Sequence, residues 1–182
     1  MRIVSGQYKG KRITAPKKLP ARPTTDMAKE ALFNILNNEY YLNEVSVLDL
    51  FAGIGSISLE FLSRGATEIT AVDQHNGCLS FIAKTANEMQ GEISTIKSDV
   101  YKFLEKTPLR ATIIFADPPY DFDKEAFLKI PDLVFEKNIL NEEGLLIVEH
   151  STHTDLSSHK NYSNSRKYGS SVFSFFKNKA DL

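Results

Sequence analysis

The residues whose types and spacing most clearly suggest chemistry are Asp117-Pro118-Pro119-Tyr120, which directly follow the apolar run Ile113–Ala116. Proline fixes φ and has no N–H, so two prolines in succession cannot continue a sheet ladder. The residue before a proline is also pushed toward extended geometry. The sequence therefore predicts a stiff loop at the carboxyl end of a buried strand, where open α/β sheets bind ligands. This loop would present one carboxylate, backbone carbonyls and one flat ring.

Those groups suit a planar substrate that carries an amine. An exocyclic amine on a nucleobase is a poor nucleophile, because its lone pair is delocalised into the ring. Asp117 and a carbonyl of Pro118 or Pro119 could accept both amine hydrogens, and Tyr120 could stack on the base for roughly 1–3 kcal/mol. An isolated Asp-Pro-Pro-Tyr is more often a tight turn whose Asp caps a neighbour. The acids and the glycine turn described next favour a catalytic loop instead.

A glycine-rich turn, Gly53-Ile54-Gly55, lies between the predicted strand Val45–Phe51 and a predicted helix. It lacks the third glycine of the dinucleotide fingerprint, and no Gly-Lys-Ser/Thr follows it as in a phosphate loop. What remains is a turn that lets backbone approach a ligand closely, with a helix N-terminus that attracts an anion. The carboxylate of an amino acid satisfies that requirement as well as a phosphate does.

Three acids lie at or near the ends of successive predicted strands. Asp49 precedes the glycine turn and could meet an ammonium group, while Asp73 ends the next strand, where an acid takes ribose hydroxyls. Asp99 follows the third strand and could accept the amine of adenine. Ammonium, carboxylate, ribose and adenine together describe S-adenosylmethionine. A dinucleotide is disfavoured, because three acids would repel its pyrophosphate, and this argues against a nicotinamide oxidoreductase.

Strands alternate with helices along most of the chain, which predicts a parallel sheet with right-handed crossovers. Two strands without an intervening helix close the chain and predict an antiparallel edge. The fold class is thus α/β, a doubly wound Rossmann-like sheet with a small N-terminal β-hairpin arm. We expect residues 1–23 to form a basic hairpin and extended linker, and residues 24–182 to form the main domain. The predicted strands are 45–51, 67–73, 92–97, 112–116, 144–149, 160–168 and 171–176, with helices over about 24–38, 57–64, 77–89, 101–106 and 124–136.

Composition describes an ordinary globular protein, with 42% hydrophobic and 25% charged residues among 182. No apolar run approaches the roughly 18 residues that a membrane-spanning helix needs. Cys78 is the only cysteine, so internal disulfides are impossible, and we expect a cytoplasmic location. The four histidines and Cys78 do not show metal-ligand spacing, and we expect no metal.

Charge is distributed unevenly although the formal net charge is only −1. No acid precedes Asp26, whereas the same segment carries seven basic residues. A basic arm on a near-neutral body favours a polyanionic partner such as nucleic acid. These basic residues are Arg2, Lys9, Lys11, Arg12, Lys17, Lys18 and Arg22.

Taken together, these motifs resemble the bacterial family of 16S ribosomal RNA guanine-N2 methyltransferases, over nearly the whole length. The resemblance is carried by Arg2–Gly6, by Arg22-Pro23-Thr24-Thr25-Asp26, by Asp49–Gly55, by Asp117–Tyr120 and by the closing Tyr168-Gly169 with Phe173–Phe176. It implies an S-adenosylmethionine-dependent enzyme that methylates the 2-amino group of a guanine held by Asp117, Pro118, Pro119 and Tyr120. It also implies that Gly53 and Gly55 line the methionine end of the cofactor, with Asp73 on the ribose and Asp99 on the adenine.

We further expect the cofactor site to include Asp49, Phe51, Gln74, Ser98 and Val100. The RNA contacts are expected to come from Arg2, Lys9, Lys11, Arg12, Arg22 and Thr24. The expected partner is ribosomal RNA, free or within a partly assembled small subunit, bound by a monomer. Two alternatives stay open at this point: an amino-group methyltransferase acting on DNA adenine or protein glutamine, and a non-catalytic RNA-binding assembly protein that retains the fold.

Overall fold

A computed structural model of the chain describes residues 1–20 and 22–180; Ala21, Asp181 and Leu182 lie outside the described residues. Within that part of the chain, a seven-stranded sheet has the order β3-β2-β1-β4-β5-β7-β6. Strands β1 to β5 are parallel, and β7 and β6 extend the sheet as antiparallel strands. In chain order the elements are α1 (Asp26–Glu39), β1 (Ser46–Leu50), α2 (Ser56–Ser63), β2 (Glu68–Asp73), α3 (Asn76–Glu88), β3 (Ser94–Lys97), α4 (Val100–Lys106), β4 (Ala111–Ala116), α5 (Lys124–Glu136), β5 (Leu140–Ser151), β6 (Tyr162–Tyr168) and β7 (Ser171–Phe176).

Two hydrophobic layers cover the two faces of the sheet. On one face, α1, α2 and α3 bury residues such as Leu32, Phe61 and Ile82. On the other face, α4 and α5 bury residues such as Leu104 and Phe127. Alternation along β4 follows the same division, since Ile113 and Phe115 face the first layer while Ile114 faces the second. The predicted doubly wound sheet with an antiparallel C-terminal edge is confirmed.

Strand β1 is the topological switch point of the sheet. The chain leaves β1 toward β2 on one side, and β4 pairs with β1 on the other side. In such sheets the loops on the two sides of the switch point diverge and leave a crevice at the carboxyl ends of the strands. The Gly53–Gly55 turn follows β1 and the Asp117–Tyr120 loop follows β4, so the fold places both beside this crevice.

The predicted element bounds hold for most of the chain; the N-terminal hairpin, β5 and β3 depart from them, and β6 begins at Tyr162 rather than at residue 160. The N-terminal hairpin (residues 1–13) pairs through a single antiparallel bridge between Arg2 and Arg12 rather than two strands. Strand β5 begins at Leu140, well before the predicted residue 144, because its pairing with β4 shifts between Ala111 and Ile113 and so admits extra residues. Strand β3 is shorter than predicted and begins at Ser94.

Buried charges attach the N-terminal hairpin to α2. The Glu60 carboxylate, fully buried, accepts the backbone N–H groups of Val4 and Ser5, both at 3.0 Å. The Lys29 ammonium, also fully buried, lies 3.4 Å from Glu60 and donates to the Arg2 carbonyl at 2.7 Å. A two-stranded hairpin is marginal by itself, and these contacts supply the support that it needs.

The linker after the hairpin crosses the mouth of the crevice. We call residues 16–20 and 22–23 the strap. Leu19 is buried against Ile54 and Cys78, next to the glycine turn and α3, and so anchors one end of the strap. Thr24 follows the other end and donates its hydroxyl to Glu149 on β5 at 3.3 Å. In the described residues, no helix has the length and apolar character to cross a membrane.

Candidate active site

A cleft of about 610 Å³ lies at the carboxyl ends of β1, β2 and β4, partly covered by the strap. Among the predicted cofactor residues, it is lined by Phe51, Gly53, Asp73, Gln74 and Val100. The predicted catalytic residues Asp117, Pro118, Pro119 and Tyr120 line the same cleft. A smaller adjoining chamber is lined by Asp49, Gly53 and Asp117, and Arg22 lines both spaces. Ser98, Asp99 and Gly55, also predicted for this site, do not line either space.

Backbone conformation explains the two glycines of the turn. Gly53 has φ +55 and Gly55 has φ +82, a region that side-chain-bearing residues rarely adopt. A Cβ on Gly55 would also lie 2.6 Å from Ile82 Cγ1, so the turn packs directly on α3. A Cβ on Gly53 would meet nothing within 4 Å, because this residue borders open space. The turn thus exposes backbone to the cleft at Gly53 and is fixed to the core at Gly55.

Asp73 is held by the turn that it faces. One of its carboxylate oxygens accepts the Gly53 N–H at 2.9 Å, and the other accepts the His75 N–H at 2.8 Å. Each oxygen keeps a lone pair for a further donor. Asp99 caps α4 by accepting the Lys102 N–H at 3.0 Å, and the Gln74 side-chain amide donates to it at 3.1 Å. Asp73 ends β2 and Asp99 follows the neighbouring β3, but only Asp73 lines the cleft, and Gln74 connects it to Asp99.

Asp49 lies deeper, on β1, and is nearly inaccessible. Its carboxylate accepts the Ser58 hydroxyl at 2.6 Å and the Ser58 N–H at 3.2 Å. Burial raises the pKa of Asp49 to about 7, although the hydrogen bonds from Ser58 oppose the shift. A cation in the adjoining chamber would stabilise its ionised form.

Aromatic rings form the apolar wall of the cleft. Phe51, in the left-handed conformation with φ 57, packs edge-on against Tyr101 and Phe122 at centroid distances of 6.3 and 6.1 Å. Phe122 also lines the cleft, although its position in the sequence gave no signal of this. The wall offers a flat hydrophobic surface to a planar ligand.

Asp117 and Tyr120 share one neighbour, Arg22 of the strap. Arg22 Nη2 donates to Asp117 Oδ1 at 3.2 Å, and Arg22 Cζ lies 3.4 Å from the centroid of the Tyr120 ring. The Tyr120 hydroxyl lies 3.3 Å from the Ser171 hydroxyl, which ties the loop to β7. The Asp117 carboxylate thus binds an edge of the planar guanidinium, and the Tyr120 ring covers one of its faces.

A second buried acid, Glu149, stands beside Asp117 and was not among the predicted site residues. It lies on β5, next to β4, and is 3% exposed. Burial, and then the charge of Glu149, raise the pKa of Asp117 well above its ordinary value, while Arg22 lowers it. Burial also raises the pKa of Glu149, against hydrogen bonds from Ser171 and Thr24. The sequence did contain a signal for Glu149, because this acid is the last residue of a predicted strand, as Asp73 is.

The predicted RNA-binding residues fall into three places. Arg2 and Arg12 lie together with Asp26 on the surface near the start of α1, and Arg2 pairs with Asp26 at 3.1 Å. Arg22 lies inside the candidate site, and Thr24 is bonded to Glu149. Lys9 lies in the hairpin turn, whose Gln7 and Tyr8 bond to Ser63 at the end of α2, and Lys11 closes this turn next to Arg12. The structure therefore does not bring these six residues together.

Metal ligation has no candidate in the part of the chain that the structure describes, since no group of three or more His, Cys, Asp or Glu side chains is placed to hold an ion.

Known proteins resemble this chain in sequence and in fold over most of its length. A family model described as conserved hypothetical protein 95 matches residues 1–177. The chain is 33% identical to the putative rRNA methyltransferase YlbH of Bacillus subtilis over 162 residues, covering 86% of this chain and 85% of that protein. It is 31% identical to the ribosomal RNA small subunit methyltransferase D of Escherichia coli over 150 residues, 82% and 74% of the two chains. The solved structure of the putative methyltransferase yhhF of Escherichia coli superposes with a TM-score of 0.84 at 25% identity, over 100% of this chain and 99% of that one.

Proposed function

The chain belongs to the conserved hypothetical protein 95 family, and on that premise we propose that it transfers a methyl group from S-adenosylmethionine to the 2-amino group of a guanine in small-subunit ribosomal RNA. The relatives named as ribosomal RNA methyltransferases support methylation of ribosomal RNA. The observation that carries the choice of an amine is the placement of Asp117 and Tyr120 on the lining of the same cleft as Gly53 and Asp73.

The donor set of the cleft fits S-adenosylmethionine. Asp49 is a buried carboxylate beside the small chamber and suits an ammonium group. Asp73 has free lone pairs toward the cleft and suits ribose hydroxyls, and Phe51 with Val100 offers an apolar wall to the adenine. When bound, this cofactor supplies an electrophilic methyl group on a sulfonium.

The chain's own residues then orient the amine. Asp117 and a carbonyl of Pro118 or Pro119 accept the two amine hydrogens, and Tyr120 stacks on the guanine after the base has left its own stack. Positive charge develops on the amine nitrogen during transfer, and the carboxylate stabilises it because it is fixed beforehand. A strong base is unnecessary, since the amine proton becomes acidic once the methyl group is attached.

The test is a methylation assay with purified protein, labelled S-adenosylmethionine and either free small-subunit RNA or partly assembled small subunits. Digestion to nucleosides should place the label in N2-methylguanosine. Label in methyladenosine, in DNA or in glutamine would select the other amino-group substrates. Binding of RNA without any transfer of label would select the non-catalytic assembly protein.

A further inference from the structure

The position that the proposed function assigns to the target base is filled by a side chain of the protein itself. Arg22 stacks on Tyr120 at 3.4 Å, which is the separation of stacked rings, and it donates to Asp117 at 3.2 Å. A methylatable base would need the same ring face and the same carboxylate. The two occupants cannot be present together.

The strap holds Arg22 there from both sides. Leu19 is buried against Ile54 and Cys78. Pro23 restricts the backbone of Arg22, which precedes it, to extended geometry, and Thr24 donates to Glu149 at 3.3 Å. The guanidinium is therefore delivered to the loop by an anchored segment, although its side chain is still 53% exposed to solvent.

The chemistry of the occupant resembles that of guanine. A guanidinium is a planar N–C–N unit with N–H donors along its edge. The edge of guanine that contains N1–H, C2 and the 2-amino group is also a planar N–C–N unit with donors on both nitrogens. Inosine has the same ring without the exocyclic amine, and adenine presents an acceptor at N1.

We infer that Arg22 is an internal stand-in for the target base: it occupies the guanine subsite formed by Asp117 and Tyr120 until RNA displaces it. This inference rests on the proposed function and adds to it a specificity. The subsite selects a planar edge with two adjacent donors. While no base is present, the Arg22 cation also compensates the negative charge of the Asp117 and Glu149 carboxylates.

The inference is tested by vacating the subsite with Arg22→Ala and titrating methylguanidinium, the head group of arginine, while the ring signals of Tyr120 are followed by NMR. The variant should bind methylguanidinium roughly tenfold more tightly than the wild type, since the internal competitor is gone. Lys18→Ala is the matched control, because it removes one exposed positive charge from the same strap. It should behave as the wild type does.

Competition then identifies the subsite. Guanosine should displace methylguanidinium from Arg22→Ala about tenfold more effectively than inosine, which lacks only the 2-amino group. Equal binding of methylguanidinium by wild type and variant, no detectable binding by either, or equal competition by guanosine and inosine would each overturn the inference.

Two controls keep these outcomes interpretable. Arg22→Ala should still unfold in one cooperative thermal transition, at a lower temperature than Lys18→Ala because Asp117 and Glu149 lose their cation, and Arg22→Gln provides a second variant that removes the planar cation. The methylation assay tests the proposed function separately. If the wild-type protein transfers no methyl group to ribosomal RNA, the proposed function fails whatever these titrations show.

Discussion

Asp117 and Glu149 stand on neighbouring strand ends and are both largely removed from water. Two carboxylates so placed cannot both ionise without cost, so each raises the free energy of the ionised form of the other. The Arg22 guanidinium opposes this effect at Asp117. The protonation of Asp117 therefore depends on what occupies the space over Tyr120.

Replacing Asp117 by Asn should lower the rate of methyl transfer at least about 100-fold, because an amide presents a donor to the substrate amine and has no charge to stabilise the transition state. Affinity for S-adenosylmethionine, measured by isothermal titration, should change by no more than a few-fold. Asp121→Asn, an exposed acid in the same loop, is the control. Undiminished turnover in Asp117→Asn would remove Asp117 from the reaction.

The acid limb of the pH–rate profile should report the ionisation of the Asp117 carboxylate. Transfer needs Asp117 ionised, so the rate should rise with pH through its raised pKa. Glu149→Gln removes the neighbouring negative charge, lowers the pKa of Asp117 and should shift that limb to lower pH. Glu142→Gln, an exposed position on the same strand, should leave the limb in place. A shift to higher pH in Glu149→Gln would contradict the electrostatic account.

At the scale of elements, the N-terminal hairpin depends on a buried ion pair rather than on its own strands. Glu60 accepts two hairpin N–H groups, and Lys29 joins it to the Arg2 carbonyl. Burial lowers the pKa of Lys29, and Glu60 opposes that shift. The hairpin is thus attached to α1 and α2 through charges that have no access to water.

Lys29→Met should destabilise the protein by about 3 kcal/mol in urea unfolding, since it leaves the buried Glu60 with one cationic partner fewer. The hairpin should detach more often, and trypsin should then cleave more quickly at Lys9 and Lys11. Lys84→Met, an exposed lysine of α3, should alter neither measurement. Unchanged stability and unchanged cleavage in Lys29→Met would show that the hairpin is held by other contacts.

The helices and strands could be predicted from the sequence, whereas contacts between segments that are far apart in the chain could not. The acids at strand ends could be placed together, because the carboxyl ends of parallel strands meet at one edge of the sheet. The position of Arg22 could not be predicted, since it depends on how the strap is anchored by Leu19 and Thr24, far from the loop in sequence. Lys29 within α1 carries no signal in sequence of its burial against Glu60.

At the scale of the whole molecule, the N-terminal hairpin carries its positive charge both beside α1 and at its turn. Arg2 and Arg12 lie near the start of α1, and Arg2 is paired with Asp26. Lys9 follows Tyr8, which bonds to Ser63 at the end of α2, and Lys11 leads back from the turn to Arg12. Asp26 closely follows Thr24, which bonds to Glu149 beside the cleft, so we expect RNA bound at the cleft to contact the arginines before the lysines.

Arg2→Ala combined with Arg12→Ala should therefore weaken binding of ribosomal RNA and reduce the slope of log K against log salt by up to about 2. The loss of the exposed Arg2–Asp26 pair should cost little stability. Lys9→Ala combined with Lys11→Ala removes the same amount of charge from the hairpin turn and should reduce the slope less. Filter binding at several salt concentrations makes the comparison, and the opposite ranking would place the RNA along the hairpin turn.

The most direct measurement of the central claim is mass spectrometry of small-subunit ribosomal RNA from cells that lack this protein, with the gene restored as wild type or as Asp117→Asn. We predict the loss of one N2-methylguanosine in the deleted cells, its return with the wild type, and its continued absence with Asp117→Asn at equal protein level. An unchanged set of methylguanosines after deletion, or full restoration by Asp117→Asn, would contradict the account.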